Sequence, residues 1–353
     1  MSGSRIDWGL AERVAGLTGG GLGETHALPV DLRAIAADAA ERVVAYTGLQ
    51  PRTPLPVAEA VGRPAWRAAN YAAFDALLAP VLAKAGAGLG PLQGPALLGA
   101  GALLGAEAGA VTGLLGRRVL GQVDVHLTEP DAPLRLLLVV PNLHAAAKTL
   151  DVDPAQLVRW VTIHEMTHAV QFTGVPWLRP HLGALVDELV GGLTGAPGPD
   201  GRPVVPRLAL PDVRAVAGQV RSGSVLALVA GPERKALLDR IQAVMSLIEG
   251  HAEHVMDAAG APVLPDLADL RAALARRREA ASGFSPWRLF ERLLGLELKL
   301  RQYEDGKRFC DAVVAQADVA TLHRAWDAPE LLPSLAELVE PARWLGRVAR
   351  APA

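Results

Sequence analysis

The chain has 353 residues, half of them hydrophobic and a fifth charged, with a formal net charge of −2. This balance excludes a disordered chain, and no basic run is dense enough for a nucleic-acid footprint: Arg276, Arg277 and Arg278, the only cationic cluster, read as a solvated helix face. The single cysteine, Cys310, rules out an intrachain disulfide or a cysteine-based metal cluster. It fits a reducing cytosol, so the expected location is cytoplasmic and Cys310 is expected as a small buried hydrophobe.

Helical patterns fill the first 120 residues, and "MSGSRIDWGLAERVAG" lacks the pattern of a secretory signal. This region is expected to pack on a core spanning 121–353, the two forming one compact unit. One stretch, Ala96 to Gly116, is long enough to span a membrane. Its glycines Gly101, Gly105, Gly109 and Gly113 recur every four residues. It is weakly hydrophobic, however, and carries Glu107, so it is read as a core helix whose glycine face admits a neighbouring helix, and no membrane insertion is expected.

Two apolar runs, Gly121–Thr128 and Leu134–Leu143, flank the turn-forming "EPDAP" and read as a strand pair. The helix that follows carries "RWVTIHEMTHAVQFTGVPWL". Asp153 is its expected N-cap, Pro154 opens its first turn, Gln156 completes a capping-box-like start and Gly174 stops it. His164 and His168, at i and i+4, leave one face with their nitrogens converging, as two ligands of a tetrahedral zinc ion require. Glu165 lies about 100° round the helix, where it reaches a water rather than the ligand position. H-E-x-x-H thus joins two ligands and a general base in five residues. The extended form with a third histidine is absent, because positions 171 and 174 hold Gln171 and Gly174.

Thr194–Asp212, rich in Pro and Gly, reads as a surface loop or hinge. The long helix after it, about Pro232 to Ala259 and ended by Gly260, carries "SLIEGHAEHVMD". Glu249 is a carboxylate within an apolar stripe, and Gly250 beside it allows another backbone to come close. Glu249 is taken as the third zinc ligand, with Glu253 and Asp257 one and two turns on as carboxylates that brace a ligand histidine; the swap of Glu249 and Glu253 has the same ligand chemistry. His251 and His254 leave other faces as structural residues, His251 being placed to assist a transition state. In "LKLRQY", Lys299, Gln302 and Tyr303 share a helix face. Tyr303, then Lys299, are the candidates to stabilise an oxyanion.

These stretches resemble the gluzincins, zincin-like metallopeptidases with a His-Glu-His zinc set. More closely, "RVLGQVDVHL", "LLLVVPNL", "WVTIHEMTHAVQFTGVPWLR", "EGHAEHVMD", "LELKLRQYEDGKRF" and "APELLP" resemble an uncharacterised zincin-like hydrolase family of high-GC bacteria, often labelled as associated with deazaflavin coenzyme biosynthesis. The resemblance implies a predominantly helical α+β fold, with a small sheet over the H-E-x-x-H helix and a second helix supplying Glu249. It implies a zinc-dependent hydrolase of peptide or amide substrates, with Leu136–Asn142 as the sheet edge that pairs with an extended peptide and Pro141 marking its end. The contrasting expectation is a zinc-bound scaffold without turnover.

Overall fold

The structure, a computed structural model, describes residues 6–19, 27–87, 93–127, 129, 131–191, 232–280 and 302–350. In chain order the described elements begin with α1 (Trp8–Gly19), α2 (Leu32–Thr47), β1 (Ala58–Val61), α3 (Arg63–Ala87), α4 (Gln93–Leu115), β2 (Gly121–Asp124), β3 (Arg135–Val139), α5 (Val140–Leu150), α6 (Pro154–Gly174) and α7 (Leu178–Gly191). Then come α8 (Pro232–Gly260), α9 (Leu267–Ala280), α10 (Gln302–Gln316) and the short C-terminal helices α11 (Val319–His323), α12 (Leu335–Val339) and α13 (Pro341–Val348).

The sheet has three strands in the order β1-β3-β2. β2 runs antiparallel to β3, with Gly121 opposite Leu138 and Asp124 opposite Arg135. This is the expected strand pair, each run shortened at its far end. β1 adds itself parallel on the other side, Ala58 opposite Leu136. Leu136–Asn142 is therefore not an edge. Its strand part is central and buried on both faces, which is why "LLLVV" is an unbroken apolar run. The strand ends at Val139, two residues before Pro141, and passes directly into α5, where Pro141 occupies the first turn and its missing N–H costs nothing. Asn142, the next residue, donates to the carbonyls of Gly116 (2.7 Å) and Val119 (2.6 Å), which fixes the approach to β2.

The glycine face of α4 does what its spacing implied. Gly101, Gly105, Gly109 and Gly113 are buried, and the backbone of α1 lies directly against them: a Cβ on Gly105 or Gly109 would overlap the carbonyls of Asp7 or Ala11. The opposite face is open. Leu98, Leu103 and Leu114 are exposed, and only 33% of the Leu98–Leu115 window is buried. Among the described residues α4 is the one helix long and apolar enough to cross a membrane.

Three apolar clusters support the fold. One joins α2, the sheet, α5, α6 and the second half of α8; another joins α7, the first half of α8, α10 and the C-terminal helices. The third joins α1, α3 and α4 to the sheet. Cys310 is fully buried in the second cluster, and burial pushes its thiol far up, so it packs as a small hydrophobe.

Candidate metal centre

α6 is buried on nearly every side. Only a helix end needs special satisfaction under those conditions, and Asp153 provides it, accepting from the Gln156 N–H at 2.8 Å. The capping box stays half-made, because the Gln156 side chain donates instead to Asp266 (2.9 Å). The helix places His164 and His168 edge to face, ring centroids 4.8 Å apart, with their Nε2 atoms separated by 3.3 Å. Trp160, one turn earlier, lies nearly parallel to the His164 ring.

α8 crosses α6 and brings Glu249 to the same point. Its Oε2 is 3.8 Å from His164 Nε2 and 3.7 Å from His168 Nε2. Tetrahedral donors bound at about 2.0–2.2 Å stand about 3.3–3.6 Å from one another. The observed separations of 3.3, 3.7 and 3.8 Å match that triangle to within a few tenths of an ångström. Two imidazoles and a carboxylate are also the donor types zinc takes. The three residues fit the ion. Close packing behind Glu249 comes from glycines. Gly250 meets Gly306 of α10 backbone to backbone, and a Cβ on either would overlap the other helix.

The group that orients His168 was not recognised from the sequence. His168 Nδ1 faces Gln171 Oε1 at 2.9 Å, so Nδ1 carries the hydrogen and Nε2 keeps its lone pair for a metal. Gln171 is fixed in turn by donating to the Ile248 carbonyl (3.1 Å) and facing His251 Nδ1 (2.9 Å). Its spacing from His168, i+3 on the same helix, was the available signal. In the extended motif with a third histidine, this position is the glycine, and Gln171 marks its absence.

That geometry also makes His251 a support for Gln171. It is fully buried behind Gln171, edge-on to His323 and Trp326, and its Nε2 has no hydrogen-bond partner. Burial, then the neighbouring His323, His254 and His168, hold it well below its ordinary pKa, so it is neutral. Asp257 braces no ligand histidine: it pairs with Arg271 and Lys307, both at 3.0 Å. His254 is structural, its Nδ1 donating to Asp311 (2.7 Å) and its Nε2 accepting from the Tyr46 hydroxyl (2.7 Å). Glu253 stands half-buried one turn beyond Glu249. Lys299 and the Tyr303 side chain lie outside the described residues, as does Thr194–Asp212.

Glu165 faces β2, which is the edge strand beside the centre. Its Oε2 accepts the Val123 N–H at 2.9 Å. Gly121 makes this approach possible: a Cβ there would stand 2.6 Å from Val161 Cγ1 and 2.9 Å from Glu165 Cγ. Burial pushes the Glu165 carboxyl up to about 7, with His168 opposing the shift and Glu249 adding to it. Glu165, His168 and Glu249 all open onto one cavity of about 200 Å³, bounded by α3, β2, α6, α7 and α8. The arrangement therefore has three possible metal donors, a buried carboxylate beside them and a half-open pocket in front.

A family model described as zincin-like metallopeptidase matches residues 6–345. The chain belongs to this family. Its zincin-like fold is shared with a crystal structure of a candidate hydrolase with a novel fold from Chloroflexus aurantiacus, at 29% identity and a TM-score of 0.71, covering 98% of this chain and all of the other. None of the curated proteins compared with it matches. The zincin-like class, α+β and mostly helical with a small sheet, is the one the resemblance implied.

Proposed function

We propose that this chain is a zinc-dependent hydrolase of peptide or amide bonds, in which His164, His168 and Glu249 hold the ion and Glu165 is the general base. The observation that carries the reading is the donor triangle, three atoms from two helices set at the spacing of one tetrahedral ion. When bound, zinc supplies a Lewis acid that polarises a carbonyl and makes water acidic near neutral pH.

Gln171 holds His168 in the tautomer that offers Nε2. Glu165, anchored through one oxygen by the Val123 N–H, takes the proton of the attacking water and returns it to the departing amine. The apolar walls of α7 and α8 shield one side of the pocket from bulk water, which strengthens the interactions made there. Membership of a zincin-like metallopeptidase family supports the same class of reaction.

The test is elemental analysis of the purified full chain and two variants. Wild type should hold about one zinc per chain. Glu249→Gln should lose most of it, and Glu165→Gln should keep it. Zinc retained in Glu249→Gln would move the third ligand to another residue. Wild type that takes up no zinc from added metal would sink the hydrolase reading.

A further inference from the structure

The cavity beside the donor triangle has an uneven chemistry. On the side of β2 and α3 two of its polar residues are already engaged. Gln122 and Asn70 bond each other (3.3 and 3.4 Å), and Gln122 Oε1 accepts from Trp66 Nε1 at 2.6 Å. What Gln122 and Asn70 can still offer a ligand is small, and Asp124, 3.6 Å from His126 and beyond hydrogen-bond distance, adds an acidic group to this side.

The other side is apolar. Phe172 follows His168 one turn along α6; Leu182, Leu185 and Val186 come from one stripe of α7; Ile241 and Met245 come from one stripe of α8, below Glu249. The α7 leucines and Ile241 are almost fully buried, held by the second apolar cluster, so this wall is preformed and does not depend on a ligand to order it. An apolar cavity of roughly 150 Å³ stays dry and accepts a benzene-sized molecule. At about 200 Å³, this one takes a group of leucine to phenylalanine size.

We infer that the substrate is an amide or peptide with a large uncharged apolar side chain next to the scissile bond, seated between α7 and α8 while the bond lies over His164, His168 and Glu249. The inference rests on the hydrolase reading, since that reading places the scissile bond. An anionic side chain would give up its hydration against this wall and meet only the carboxyl groups of Asp124, Glu165 and Glu249, and is rejected on that ground.

The experiment is calorimetric titration of the zinc-loaded full chain with hydroxamates that share one metal-binding head: acetohydroxamate, 3-phenylpropanohydroxamate and the hydroxamate of succinic acid, which carries a carboxylate tail. The phenyl tail should bind roughly tenfold or more tighter than acetohydroxamate, the gain expected for burying one such side chain. The carboxylate tail should show no such gain. Val186→Phe, which fills the chamber, should bring the phenyl-to-acetyl affinity ratio down towards one. Met245→Ala, which enlarges it, should raise the ratio for a naphthyl tail. Equal binding of all tails, or a preference for the carboxylate, would overturn the apolar-substrate inference and leave the metal reading standing. Failure of acetohydroxamate itself to bind the zinc-loaded chain would overturn both.

Discussion

Gln171 shows how much of the centre depends on a residue that touches no metal. It links His168 on its own helix to the Ile248 carbonyl and His251 on the next. Gln171→Leu removes the acceptor that sets the His168 tautomer and strands two buried polar atoms. Zinc affinity, measured by competition with a chelator, should fall roughly 10–100-fold. Gln171→Glu, which restores an acceptor, should recover part of the loss; no recovery would make the residue a packing element only. Gly121 is the counterpart on the sheet. Gly121→Ala should cost about 1–3 kcal/mol in denaturant unfolding, because Val161 and Glu165 must give way, while zinc content stays at the wild-type level. The sequence made His164, Glu165 and His168 legible because a helix fixes their relative positions within two turns. It left illegible the anchoring of Gln171 on Ile248 and His251 and the partners of Asp257, since those depend on how α8 is rotated against α6, α9 and α10. No local spacing encodes that rotation.

The same division holds for whole elements. α6 was readable to its ends, Asp153 at one and Gly174 at the other, because caps and stops are local chemistry. β1 was not read at all. Ala58–Val61 is "AEAV", too short and too poor in branched residues to signal a strand, and it is extended because β3 offers it a parallel partner. β3 was readable as a strand but not as the central one, since an unbroken apolar run shows burial on two faces and says nothing of neighbours. Gly250 suggested a close helix contact, and the partner proved to be Gly306 of α10. Gly306→Ala should force α8 and α10 apart, costing about 1–3 kcal/mol and lowering zinc affinity, since Glu249 adjoins that crossing. Gly16→Ala in α1, where no atom lies within 4 Å of the added Cβ, should instead stabilise by about 0.5–1 kcal/mol. Urea melts of the two variants side by side check both signs.

At the scale of the molecule, α8 is the common member of two apolar clusters, its first half in one and its second half in the other. Glu249 lies near the division. A metal held there bonds α8 to α6 directly and is absent from the unfolded chain, so its binding free energy adds to stability. Free zinc at a hundred times its dissociation constant should add about 2.7 kcal/mol. Thermal melts of wild type should therefore move up with zinc and down with a chelator, and those of Glu249→Gln should respond to neither. A wild-type melt indifferent to both would detach the metal from the fold.

The order of the ligands along the chain also sets an order of assembly. A ribosome delivers β2, β3 and α6 as one continuous stretch, and with them His164, Glu165 and His168. The carboxylate follows only with α8, after the whole of α7 and the segment behind it. On the proposed ligand set, a nascent chain holds a two-nitrogen half-site that gains its full grip on metal when the crossing of α6 and α8 closes. Tight metal retention is then a mark of a chain made at least through α8, and fragments truncated before residue 249 should shed the ion to any competing chelator.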